Sequence, residues 1–171
     1  AWSGDTAQPE EWIKCSPQNA ETISATAFFF ARDLHKARRV PVGIVVCAWG
    51  GTLAECWIAR SYIEKKTELS YVIERYDKAY AQWKSPEEYE KALEDFKNTK
   101  SKFRDAKQGG TNGKSPKEPM GPRHFQRPGG LYETMLKPLA PFAVKGALWY
   151  QGESNVSDNR AYHYRFLLPT L

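Results

Sequence analysis

Apolar residues recur at helical spacing near the start of the chain. Residues 19–39 place five of them where one face of a helix would lie: Ile23, Ala27, Phe30, Ala31 and Leu34. Residues three and four apart lie side by side on a helix, so this spacing predicts an amphipathic helix that Thr22 or Ser24 can cap. An apolar, β-branched run, VGIVVCA (residues 42–48), follows and predicts a strand.

A glycine turn and a further helical pattern come next. WGGT (49–52) is followed by LAECWIARSYI (53–63). Helix, strand, turn and helix in this order predict an α/β unit with a parallel sheet. The pattern resumes with a short helix (129–142), a second apolar strand, VKGALWY (144–150), and a final helix (159–171). Two clear strands make an incomplete sheet.

The intervening residues 64–128 have a different character. Lysines and acids alternate there, and the spacing of Tyr89, Leu93, Phe96 and Phe103 predicts a long amphipathic helix or a helical pair. SPEE (85–88) has the composition of a helix start. Residues 108–122 are rich in glycine, proline and lysine, which predicts a loop. We interpret 64–128 as a charged insertion within one domain that spans residues 1–171.

Composition narrows the classes of function. The 171 residues are 41% hydrophobic, which is enough for one domain with a core. The chain carries a net charge of +5, but its lysines are interleaved with acidic residues, so a nucleic-acid partner is not expected. No run approaches the ~20 apolar residues that span a membrane. The three cysteines are too scattered for a metal site, and no cofactor is indicated.

Candidate chemistry lies directly after each predicted strand. Ligands of open α/β sheets bind beyond the carboxyl ends of the strands. After the first strand, Gly50 and Gly51 can bring backbone N–H groups close to a ligand and form an oxyanion hole. The alternative is an ordinary tight turn.

The second strand runs into QGESN (151–155). Gln151 or Asn155 can donate an amide N–H to an oxyanion or hold a sugar hydroxyl, and Glu153 can order the loop. The alternative is a hydrogen-bonded loop in which Ser154 or Asn155 caps a helix. Ser154 is not in a nucleophile elbow. The histidines, including His124 in the predicted flexible loop, are expected to be structural or solvated.

These motifs together resemble those of a known enzyme family. The segment FFFARDLHKARRVPVGIVVCAWGGTLAECW and the later LYETMLKPLAPFAVKGALWYQGESN are similar to the sialate O-acetylesterases, carbohydrate esterases of the SGNH-hydrolase superfamily. The resemblance implies a three-layer α/β/α flavodoxin-like fold and a serine-esterase mechanism that removes O-acetyl groups from sialic acid. It implies that Gly50 and Gly51 supply an oxyanion donor and that Gln151, Glu153 and Asn155 complete the site. Trp49, Thr52 and Tyr132 would face the substrate.

The resemblance also implies what this chain lacks. The family's serine block and its Asp-x-x-His block do not occur here, so the chain is expected to be an internal fragment with no turnover of its own. An acetylxylan or other carbohydrate acetylesterase, or a non-catalytic sugar-binding module, remains an alternative. The expected partner is an O-acetylated sugar. The family's members act in secreted, periplasmic or lysosomal settings, which is the localisation expected here.

Overall fold

The computed structural model describes residues 12–108, 114–156 and 160–170. The chain divides into two compact units, residues 1–48 and 49–171. In the first unit, a 3-10 turn (Ala20–Thr22) precedes helix α1 (Ala25–Arg38), which confirms the helix that the sequence predicts. The helix ends where Arg39 adopts a left-handed conformation (φ 53°) and donates its N–H to the carbonyl of His35, as helix C-termini commonly do.

The second unit is built from helices and short helical turns. Its α-helices are α2 (Arg60–Glu64), α3 (Ser70–Tyr80), α4 (Pro86–Gln108) and α5 (Arg160–Leu167). The 3-10 turns are Ala54–Trp57, Thr67–Leu69, Lys137–Leu139, Glu153–Asn155 and Leu168–Thr170, and Tyr132–Leu136 is a π-helical turn. The predicted helix 53–63 is therefore divided into a 3-10 turn and α2. None of the described helices has the length and apolar character needed to cross a bilayer.

One apolar cluster forms the core of this unit. Its buried members are Ala54, Ile58, Ile63, Leu69, Val72 and Leu167. Each fully buried Leu, Ile or Val side chain contributes roughly 1.5–3 kcal/mol of transfer free energy. Leu69 and Val72 lie in the segment that the sequence marks as an insertion, yet they share this core with residues before residue 64 and with α5. The first part of that segment is thus integral to the unit.

Helix α4 begins as SPEE predicts. Pro86 is its first residue, the Ser85 hydroxyl accepts the Glu88 N–H at 3.3 Å, and the Glu88 carboxylate accepts the Lys84 N–H at 2.7 Å. Tyr89 on this helix is buried, and a Cβ on Gly121 would lie 2.1 Å from its ring. Only a glycine therefore allows the loop after α4 to approach so closely. Part of the predicted loop, residues 109–113, lies outside the described residues.

The two predicted strands are not found. Residues 42–48 and 144–150 are irregular, and the described residues contain no β-strand and hence no parallel sheet. Val46, Leu148 and Tyr150 are 50%, 59% and 79% exposed. A strand needs a neighbouring strand for its hydrogen bonds and other layers to cover its faces. Because the described part of the chain supplies no such ladder, the apolar pattern does not produce a strand here.

Candidate functional site

The glycine turn (residues 49–52) presents open backbone. Gly51 adopts φ +74°, a conformation that favours glycine, and a Cβ on Gly50 or Gly51 would meet no atom within 4 Å. The Thr52 hydroxyl closes the turn by donating to the Trp49 carbonyl at 2.8 Å. No described residue accepts a hydrogen bond from the N–H of Gly50 or Gly51. Both glycines are exposed, so these donors are accessible.

The amide turn (residues 151–155) contacts the glycine turn. Gln151 Nε2 donates to the Thr52 carbonyl and to Asn155 Oδ1, both at 2.9 Å. Asn155 Oδ1 also accepts the Ala54 N–H at 2.9 Å. Two of these hydrogen bonds, Gln151 to Thr52 and Ala54 to Asn155, therefore join residues that are about 100 positions apart in sequence.

The buried carboxylate of Glu55, which the sequence did not indicate, binds the amide turn. Glu55 is 0% exposed; its Oε2 accepts the Asn155 Nδ2–H at 3.0 Å, and its Oε1 accepts from Arg75 Nη2 at 2.5 Å. A buried charge is tolerated only when it is paired and hydrogen-bonded, and Glu55 meets both conditions. The signal available in the sequence was an acid inside the otherwise apolar run LAECWI.

These hydrogen bonds determine which side-chain amide hydrogens of Gln151 and Asn155 are already donated within the protein. Both hydrogens of Gln151 Nε2 are used, on Thr52 and on Asn155. Asn155 Nδ2 uses one hydrogen on Glu55, and no described residue accepts the other. Asn155 is 1% exposed, whereas Glu153 is exposed and, among the described residues, accepts only the neighbouring Gly152 N–H, at 3.2 Å. Glu153 thus lies outside the hydrogen-bonded cluster.

Helix α5 fixes the start of the amide turn. The Tyr164 hydroxyl lies 2.9 Å from the Gln151 carbonyl oxygen and 3.0 Å from its Oε1, so its single hydrogen serves these two acceptors. The same hydroxyl accepts the Trp149 Nε1–H at 2.8 Å. Trp57 Nε1 donates to the Thr52 hydroxyl at 3.0 Å. Thr52, predicted to face a substrate, is therefore buried and hydrogen-bonded within the protein.

A stack of rings borders the glycine turn. Trp49 stacks on Phe125 with ring centroids 5.1 Å apart, and Phe125 stacks on His124 at 4.8 Å. Of the two alternatives expected for it, structural or solvated, His124 takes the structural one: it is 5% exposed, and burial lowers the pKa of its imidazole. Its Nδ1 accepts the Gln126 N–H at 3.0 Å, and Gln126 Nε2 donates to the Gly51 carbonyl at 2.9 Å. Neutral His124 thus orders the loop that contacts the glycine turn.

Tyr132, the last of the predicted site residues, lies outside this hydrogen-bonded cluster. Tyr132 is half-buried at the start of the π-helical turn, and its side chain makes no hydrogen bond to the glycine or amide turn among the described residues. No group of three His, Cys, Asp or Glu side chains in the described part of the chain could hold a metal ion.

Comparison with known proteins gives one consistent result. The chain is 29% identical over 154 residues to "Sialate O-acetylesterase" of Mus musculus and 30% identical over 158 residues to that of Rattus norvegicus. Each match covers 90% of this chain and 25% of the relative. The protein of the same name from Homo sapiens is 24% identical over 157 residues, which is 87% of this chain and 21% of the human protein. No protein-family model and no solved structure gives a significant match.

The chain spans about a quarter of the length of these curated relatives. Because each of these matches covers nine-tenths of this chain, it also spans most of residues 64–128. The similarity that the motifs indicate is thus confirmed over about nine-tenths of the chain, which is similar in sequence to the sialate O-acetylesterases.

Proposed function

We propose that this chain forms the oxyanion side of an esterase that removes O-acetyl groups from sialic acid by a serine-hydrolase mechanism. The observation that carries the proposal is the junction of the two turns, in which Gln151 and Asn155 bind the backbone at Thr52 and Ala54. The junction joins the amide turn to Thr52, the residue that follows Gly50 and Gly51, whose N–H groups no described residue accepts. Preorganised donors of this kind stabilise the negative charge that develops in acyl transfer.

The donors are assigned from the side-chain amide hydrogens of Gln151 and Asn155 that these hydrogen bonds use. Gly50 and Gly51 contribute backbone N–H groups, and Asn155 contributes the Nδ2 hydrogen that no described residue accepts. Gln151 has no amide hydrogen left and acts as a tether between the turns. Glu55 sets the orientation of the Asn155 amide because it accepts from Nδ2, which turns Oδ1 toward Ala54. The three-layer α/β/α fold and a secreted, periplasmic or lysosomal location are part of the same proposal.

Kinetics of the full-length protein test this assignment. Loss of one oxyanion donor typically lowers turnover by about 10²–10³. Asn155→Ala should therefore lower kcat by about that factor, with little change in KM, when acetate release from 9-O-acetylated sialic acid is measured. Gln151→Ala, the matched control, removes a tether but no donor, and it should lower kcat by less than about tenfold.

Three outcomes would contradict the proposal. Near wild-type kcat in a folded Asn155→Ala protein would make the cluster purely structural. A larger loss in Gln151→Ala than in Asn155→Ala would reverse the assignment of the donor. Acetate release from acetylated xylan, with none from acetylated sialic acid, would favour the acetylxylan esterase alternative.

A further inference from the structure

A cavity of about 220 Å³ lies beside the glycine turn, between α3 and the loop that follows Met120. Its walls include Leu53, Arg75, Tyr76, Met120 and Gln126. Gln126 links it to the candidate site, because its Nε2 bonds the Gly51 carbonyl at 2.9 Å. Its volume is below the roughly 300–1,000 Å³ of pockets that take drug-sized ligands, so it suits a single small unit of a ligand.

The guanidinium of Arg75 lines the cavity, and only part of it is hydrogen-bonded to described residues. Arg75 Nη2 donates to the buried carboxylate of Glu55, and no described residue accepts from the remaining N–H groups of Arg75. Its side chain is 40% exposed, so these donors are open to a ligand. A guanidinium carries five N–H donors in a planar fork that matches a carboxylate. Arg75 can therefore bind a second carboxylate while it keeps Glu55 paired.

The surroundings of Arg75 offer apolar surface and a hydrogen-bond acceptor. Burial raises the pKa of Tyr76, and the positive charges of Arg60 and Arg127 oppose that rise. Tyr76, Leu53 and Met120 offer apolar surface to the carbon face of a sugar ring. Gln126 Oε1, on an amide whose nitrogen is already bonded to Gly51, can accept from a hydroxyl.

We propose that this cavity is a subsite in which Arg75 binds the carboxylate of an acidic sugar whose O-acetyl group reaches the glycine turn. The inference rests on the proposed esterase function and adds a residue that selects charged over neutral sugars. The motifs assign no role to Arg75.

Binding to the full-length protein, measured by titration calorimetry, tests the subsite. The probes are N-acetylneuraminic acid, its methyl ester and inorganic phosphate. The wild-type protein should bind the free acid about tenfold more tightly than the ester, the size expected for one charge-assisted hydrogen bond. Loss of Arg75 alone would strand the buried Glu55 charge, so the variant is the double substitution Glu55→Gln and Arg75→Met. Its acid-to-ester ratio should fall to about one.

Arg104→Met is the control, because Arg104 is an exposed arginine on α4 that does not line this cavity, and it should keep the wild-type ratio. Equal binding of acid and ester by the wild-type protein, or an unchanged ratio in a folded double variant, would overturn the subsite. Phosphate that binds as tightly as the sugar acid would show a general anion site and would also overturn it.

The two proposals fail separately. Acetate release from an acetylated sugar without any preference for the free acid would sustain the esterase and refute the subsite. A preference for the acid that is lost in the double variant, without acetate release from any acetylated sugar, would sustain the subsite as a binding site and refute the esterase.

Discussion

At the scale of single residues, the backbone conformation of Gly51 shapes the candidate site. Gly51 adopts φ +74°, a Cβ added to it would meet no atom within 4 Å, and its carbonyl accepts from Gln126. Residues with a Cβ adopt this conformation at a cost of roughly 1–2 kcal/mol. The neighbouring Gly50 does not have a left-handed φ and therefore carries no such constraint.

The two glycines give a matched pair of substitutions. Gly51→Ala should lower the free energy of unfolding by about 1–2 kcal/mol, because the left-handed conformation becomes strained. Gly50→Ala should change it by less than about 0.5 kcal/mol, because the added methyl group meets no atom. Urea denaturation followed by tryptophan fluorescence measures both. Equal midpoints for the two variants would contradict the turn geometry.

At the scale of elements, α4 is fixed by its first turn and by its packing onto the loop that follows it. The Ser85 hydroxyl and the Glu88 carboxylate each satisfy a backbone N–H that helical bonds leave unpaired. Trp83 Nε1 donates to the Met120 carbonyl at 2.8 Å, and Arg123 forms an ion pair with Glu90 on α4. The charged segment is thus an ordered helix with a docked loop.

Removal of the cap should destabilise α4. Ser85→Ala leaves the Glu88 N–H without its acceptor and should cost about 1 kcal/mol of stability, with a loss of helical signal in the far-ultraviolet circular dichroism on mild heating. Ser101→Ala is the control, because Ser101 is exposed within the same helix, where alanine has the higher helix propensity. A Ser85→Ala protein as stable as the Ser101→Ala protein would show that the cap contributes nothing.

At the scale of the whole molecule, the buried thiol of Cys56 indicates whether the second unit is folded. Cys56 is 0% exposed, and burial, reinforced by the neighbouring Glu55 charge, raises the pKa of its thiol to about 12. Unfolding returns the thiol to its ordinary pKa near 9.0. Because the unfolded thiol then ionises first, this group's contribution to stability is full below about pH 9 and is lost as pH rises toward 12.

Cysteine labelling tests this arrangement. In the native protein at pH 8, iodoacetamide should modify exposed Cys15 and leave Cys56 unmodified, because a buried thiol is neither accessible nor ionised. In urea, above the unfolding transition, both should react at similar rates. Mass spectrometry of the labelled peptides gives the extent at each site. Native labelling of Cys56 at the rate of Cys15 would show that the core around it is open.

Local interactions explain what the sequence by itself determined. Helix α1, the start of α4 and the glycine turn follow from apolar spacing, capping residues and paired glycines, all of which act within a few residues along the chain. The same reasoning placed the candidate chemistry in the glycine and amide turns. Their joining was expected only from a sheet, and no strand is found in the described residues.

Only the tertiary structure decided which polar groups are buried and what they bind. Glu55 and Asn155 are 100 positions apart, and the sequence left open whether His124 is structural or solvated. A buried polar side chain is stable only with a partner, and its partner is set by how distant segments pack. For the same reason the apolar runs 42–48 and 144–150 did not determine strands, because the hydrogen bonds of a strand come from a neighbour that local sequence does not specify.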